Sequence, residues 1–208
     1  AQIDAWCHAY ILDHRAYPSP LNYPGRPIDP HRPYALTQGG FPASVCTSIN
    51  EVVCHGIPSE TDVLAEGDIV NVDITVTLDG WFGDTSKTFV MPGATPEVEA
   101  LVQRTQECLY AGIRAVADGS RYRRFNDIGR AIQEIADAHG YGVVREFVGH
   151  GIGDTFHHAP NVLHYRTRNA GAVLKPGYIF TIEPMINLGT HENSMLDDGW
   201  TAVTDDAQ

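Results

Sequence analysis

Four titratable residues stand in local sequences that could do chemistry. Asp73 and Asp84 lie on the two arms of a hairpin pattern. His150 sits between glycines in Phe147-Val148-Gly149-His150-Gly151-Ile152-Gly153, and Glu183 ends an apolar run in Phe180-Thr181-Ile182-Glu183-Pro184-Met185. Two carboxylates on one face can share a dinuclear cluster whose metals lie about 3.5–4 Å apart; equally, two acids on a wet sheet face can simply meet solvent. His150 can be a ligand or a satisfied structural histidine. Glu183 needs a cation or a hydrogen-bond donor, because a buried unpaired carboxylate is costly. The glycines around His150 do not form a phosphate loop, since G-x-G-x-x-G is not matched. His191-Glu192-Asn193-Ser194-Met195 opens like the zinc-protease helix H-E-x-x-H but lacks the second histidine.

The elements that must position these residues follow from periodicity. Val70, Val72, Ile74 and Val76 alternate with Asn71, Asp73, Thr75 and Thr77, one apolar and one polar face of a strand. Asp79-Gly80 supplies a two-residue turn, and the chain returns from Trp81 to Val90. If Leu78 faces Trp81, Asp73 faces Ser86 and Asp84 faces Thr75. The two carboxylates are then diagonal neighbours on the polar face, roughly 7–8 Å apart at most. Helical spacing predicts a short amphipathic N-terminal helix through Ile3, Trp6, Cys7, Tyr10 and Ile11, and longer helices over Pro96–Ala117 and Phe125–His139. Further strands are expected at Val143–Val148 and Ile179–Ile182. Tyr17–Pro42 is rich in proline and glycine and reads as a long irregular loop. The class is α+β.

Composition narrows the function. A chain of 208 residues, 43% of them hydrophobic, can bury one substantial core, so residues 1–208 are read as a single domain. With 14 basic against 26 acidic residues, the net charge of −12 provides no basic footprint for nucleic acid. No apolar run approaches a membrane span of about 20 residues. Cys7, Cys46, Cys54 and Cys108 show no paired spacing, which fits reduced thiols and a cytoplasmic location.

Taken together, these segments resemble the type I methionine aminopeptidases. The resemblance rests on Asn50-Glu51-Val52-Val53-Cys54-His55-Gly56-Ile57-Pro58, on Val70-Asn71-Val72-Asp73, and on Gly83-Asp84-Thr85-Ser86-Lys87-Thr88-Phe89. It continues through Gly149-His150-Gly151-Ile152-Gly153 with Phe156-His157, Thr181-Ile182-Glu183-Pro184-Met185, and Asp198-Gly199-Trp200-Thr201. It implies the pita-bread fold, two pseudo-symmetric α+β halves around a dinuclear metal site, and removal of the initiator methionine by metal-activated hydroxide. By resemblance, Asp73 ligates the first metal, Asp84 bridges both, and His150 and Glu183 hold the second. Such a donor set suits two divalent ions, Co, Mn, Fe or Zn, without choosing among them. His157 matches the donor to the tetrahedral intermediate, His55 the histidine near the scissile amide, and Glu183 a proton carrier. Tyr23, Phe41, Cys46, Phe156 and Trp200 match the methionine pocket. The partners implied are nascent polypeptide N-termini at the ribosome, with a monomeric enzyme. His8, His14, His31, His139, His158, His164 and His191 carry no such match and read as surface or structural.

Three departures qualify the resemblance. An N-terminal helical part of the family precedes the position of Ala1, and residues from about 24 to 40 form an insertion beside the pocket. The family's fifth ligand, a glutamate, would fall beyond Gln208. With four ligands alone, the chain is expected to hold at most one metal tightly and to be nearly inactive. Two alternatives remain at this level: a catalytically dead pita-bread domain that binds protein or peptide, and a prolidase-like peptidase.

Overall fold

A computed structural model describes residues 1–24, 40–117 and 123–208. Its elements, in chain order, are α1 (Gln2–Asp13), β1 (Tyr17–Pro18), β2 (Cys46–Ile49), β3 (Val52–Cys54), β4 (Ile69–Leu78) and β5 (Trp81–Val90). There follow α2 (Pro96–Ala117), α3 (Phe125–His139), β6 (Gly142–Val143), β7 (Gly149–Gly151), β8 (His158–Val162), β9 (Ile186–Asn187), β10 (Asn193–Met195) and β11 (Ala202–Thr204). The chain divides into two compact units. One comprises Ala1–Ala94 with Asp154–Phe156 and Met195–Val203; the other comprises Thr95–Gly153, His157–Ser194 and Thr204–Gln208. Among the described residues, no helix is long and apolar enough to cross a membrane. The insertion expected at about 24–40 lies, apart from its ends, outside the described residues.

In the first unit β4 is the central strand. β5 runs antiparallel along one edge over its whole length, while β2 and β1 share the other edge. The turn has Asp79 and Gly80 at φ 51° and 84°, the left-handed pair that matches the twist of a two-residue hairpin. Leu78 pairs with Trp81, Asp73 with Ser86 and Thr75 with Asp84, as alternation predicts. Below the sheet, Val45, Val70 and Val72 form a buried cluster packed by Ile3 and Cys7 of α1 and by Ile49, Leu64, Ile74 and Met91. Asp4 ties α1 to this unit, because its Oδ1 accepts the backbone N–H groups of Ser44 (2.8 Å) and Val45 (3.2 Å).

The second unit rests on α2 and α3, whose bounds coincide with the sequence expectation. Ile128, Ile132 and Ala136 on α3 are wholly buried, as is Cys108 on α2. Gly112 lets the helices close up: a Cβ there would stand 3.0 Å from Ile132 Cδ1 and 3.2 Å from Ile128 Cγ2. The Asp127 side chain accepts the N–H of Arg124 at the start of α3 (2.9 Å), the acidic half of a capping arrangement.

Two strand expectations require correction. Val143–Val148 shrinks to the two-residue β6, paired with β9. One further bond, Val144 N–H to Met185 O at 3.0 Å, follows it. The Arg145 N–H then turns to the Glu146 carboxylate (3.1 Å), a local side-chain acceptor that ends the ladder. Ile179–Ile182 is reduced to an isolated bridge between Phe180 and Gly151. There the Thr181 N–H bonds the His150 carbonyl (2.9 Å), but the His150 N–H goes to the Thr181 hydroxyl (2.9 Å). A side chain has replaced one rung of the ladder, and it does so beside two of the candidate ligands.

Candidate metal centre

The first unit presents Asp73 and Asp84 on one face of the β4–β5 hairpin. Asp73 lies opposite Cys46 on the β2 side and opposite Ser86 on the β5 side. This is not a wet face. Thr75, the partner of Asp84, is 2% exposed, and both aspartates are half-buried. Burial pushes the Cys46 thiol well up, and the carboxylates of Asp73 and Asp84 add to that shift. Cys46 is therefore a neutral thiol beside two acids. It lines a site without acting as an anion there.

The same face carries the residues expected to form the pocket. Cys46 clusters with Phe41 and Ala43, and Ile57 and Trp200 pack against them. Phe41 and Trp200 meet edge to face with ring centroids 5.4 Å apart. Tyr23 meets Phe156 edge to face at 5.1 Å, and Phe156 stacks on Phe82 at 5.5 Å. Phe82 is two residues from Asp84 along β5 and so points to the same face. Tyr23 and Phe41 join the two groups: the Phe41 N–H donates to Tyr23 O, and the Asn22 N–H to Phe41 O, each at 2.8 Å. The chain on either side of residues 24–40 is thus pinned together. Sequence reasoning missed Phe82; its place on the Asp84 face of the predicted hairpin was the available signal. His55 follows β3 in a left-handed conformation (φ 55°), and burial draws it below its ordinary value while Asp84 opposes the shift.

The second unit presents His150 and Glu183. His150 lies on β7, 8% exposed, with Nδ1 3.0 Å from the Gly151 carbonyl. A carbonyl can only accept, so Nδ1 carries a proton. Nε2 stands 3.6 Å from Glu183 Oε1. An imidazole nitrogen beside a carboxylate oxygen at this distance suits either an ion pair or a shared cation. The backbone carbonyl behind Nδ1 is the usual support of a metal-ligating histidine. The same oxygen of Glu183 is held from a second side: Oε1 accepts from the Thr181 hydroxyl at 2.5 Å. His157 places its ring 4.2 Å from that of His150, tilted by 59°, and is exposed. His191-Glu192 begins no helix, in agreement with its dismissal.

Of the two readings left for His164, surface or structural, the structure gives the second. It is 1% exposed, and its Nε2 accepts the backbone N–H of Glu183 at 3.1 Å. Burial lowers its pKa from 6.5 to about 4. A base depressed in the folded chain binds its proton only after the unfolded chain has done so. Its contribution to stability is therefore complete above pH 6.5 and is lost as the pH falls toward 4, by about 3 kcal/mol. Urea unfolding with chelator present, at pH 7 and at stepwise lower pH, is expected to show this loss in the native chain and not in His164→Leu.

Each unit offers donors that suit divalent metal: two half-buried aspartates share a face in one, and an oriented imidazole stands beside a hydrogen-bonded carboxylate in the other. Residues 2–204 match metallopeptidase family M24. The chain is 54% identical over 173 residues to methionine aminopeptidase A of Synechocystis sp., covering 83% of this chain and 67% of that protein. It is 46% identical over 207 residues to methionine aminopeptidase of Haemophilus influenzae, covering 99% and 70%. Among solved structures, methionine aminopeptidase from Rickettsia prowazekii superposes with a TM-score of 0.87 at 43% identity, over 99% of this chain and 76% of that one. With two pairs of motifs held on the expected strands and segments, the chain belongs to metallopeptidase family M24, has its pita-bread fold, and falls among the methionine aminopeptidases.

Proposed function

We propose that this chain removes the initiator methionine from newly made polypeptides. Asp73 and Asp84 would hold divalent metal from the hairpin, with His150 and Glu183 as the donors of the second unit. Bound divalent metal would supply a hydroxide nucleophile at neutral pH and polarise the scissile carbonyl. Around that chemistry, the exposed imidazole of His157 donates a hydrogen bond where negative charge develops on the substrate. His55 lies near the scissile amide, and Glu183 carries a proton. The methionine side chain enters a pocket formed by Tyr23, Phe41, Cys46, Phe156 and Trp200, where aromatic edges and a neutral thiol suit a polarizable thioether. In this reading residues 1–208 are one catalytic domain with an insertion at about 24–40. The protein works in the cytoplasm as a monomer, on N-termini emerging from the ribosome.

The observation that carries the proposal is the approach of His150 Nε2 to Glu183 Oε1, 3.6 Å apart, in a chain of the M24 family. The test is release of methionine from a Met-Ala-Ser peptide by the full-length natural chain, with Co²⁺ or Mn²⁺ and after chelation. Metal-dependent release is expected. Peptide binding with no release would favour a binding module, and cleavage confined to X-Pro dipeptides would favour a prolidase-like peptidase.

A further inference from the structure

His164 has no role in the ligand set, yet its surroundings are poorly explained by burial alone. Its Nε2 accepts from Glu183, so the neutral ring carries its proton on Nδ1, and that buried nitrogen has no hydrogen-bond partner. An orphaned buried donor costs stability, and an apolar side chain of similar shape would avoid the cost. What an apolar side chain could not do is accept the N–H of Glu183. That N–H lies beyond the isolated bridge at Phe180 and just before Pro184, where no strand ladder supplies a carbonyl.

The ring is itself firmly based. Gly129 on α3 approaches the chain on either side of His164 so closely that an added Cβ would lie 2.6 Å from Leu163 O and 2.5 Å from Tyr165 O. The Glu183 main chain is thus tied, through His164, to a buried helix. Its carboxylate is tied separately, through the Thr181 hydroxyl that also receives the His150 N–H.

We propose that His164 is a positioning residue: its neutral imidazole, seated on α3 at Gly129, fixes the Glu183 main chain so that Oε1 faces His150 Nε2. The proposal rests on Glu183 being a metal ligand. Two measurements test it. In the imidazole ¹⁵N correlation spectrum of the metal-free chain, His164 is expected as the tautomer with Nδ1 protonated and Nε2 bare. The opposite tautomer cannot accept the Glu183 N–H and overturns the proposal, whatever any variant does. The second measurement is Co²⁺ titration, read by the visible absorption of the ion, at a temperature where circular dichroism shows each variant folded. His164→Leu is expected to weaken Co²⁺ binding by about 10- to 100-fold and to alter the spectrum, as loss of support behind a ligand does. His164→Gln, which places an acceptor near the position of Nε2, is expected to recover most of that loss. Unchanged binding in H164L together with weakened binding in Glu183→Gln would overturn the proposal alone and leave His164 a space-filler. A native chain that binds no Co²⁺, or that binds it equally well as E183Q, would overturn the ligand reading of Glu183 and the proposal with it.

Discussion

Asp84→Asn is expected to lower kcat/KM for a Met-Ala-Ser peptide by ~10³-fold or more, because the asparagine keeps the shape of the side chain and removes the carboxylate charge that the proposed function assigns to holding metal. The fold should not suffer. Asp84 sits mid-strand opposite Thr75, and its backbone pairing with β4 is untouched by the change. In the metal-free state, Asp73 and Asp84 are like charges on one half-buried face, and relieving that pair leaves stability unchanged or slightly raised. The expected signature is therefore a separation: activity collapses while the metal-free Tm holds or rises. Asp84→Asn retaining activity within a few fold would remove Asp84 from the site. A fall of activity and metal-free Tm together would make its role structural. Differential scanning calorimetry with chelator, beside a methionine-release assay, gives both numbers.

Gly129→Ala should be among the most destabilising substitutions of one small residue by another. The added Cβ meets two carbonyl oxygens at 2.5 and 2.6 Å, and both belong to backbone, which cannot rotate aside as a side chain could. Either α3 or the 163–165 segment must move. Overpacking of a tight interior costs about 3 kcal/mol at the upper end, where backbone must shift, against about 1 kcal/mol gained from alanine's better helix propensity. A net loss of ~2 kcal/mol, read from urea unfolding, is expected. Ile128 and Ile132 flank Gly129 on the buried face of α3, so the shift cannot be confined to the surface. Because the displaced segment carries His164, G129A should also weaken Co²⁺ binding in the molecules that remain folded. Stability within about 0.5 kcal/mol of the native chain would contradict the close approach. Gly112→Ala is a milder comparison, since its nearest contacts are the ends of isoleucine side chains.

Much of this molecule could be read from residue order because its reporting segments are local. The hairpin register follows from strict alternation and one Asp-Gly turn, so the diagonal placement of Asp73 and Asp84 was available before any coordinates. The two long helices were equally legible, since a 3.6-residue stripe admits few other readings. The motifs around His150 and Glu183 named the donors, but not their state. Only tertiary structure sets His150 Nδ1 against a carbonyl, turns Nε2 toward Glu183, and spends the His150 N–H on a threonine hydroxyl instead of a strand partner. For that reason the strand expected at Ile179–Ile182 did not form. His164 was illegible for a related reason: no spacing rule connects a histidine to a backbone amide nineteen residues away. What the sequence by itself determined is the set of candidate donors and most of the local elements that carry them, because chemistry and periodicity are written in consecutive residues. What the tertiary structure decided is which nitrogen bears a proton, which amide finds its acceptor and which polar face is buried, because those depend on atoms that meet only after the chain has folded.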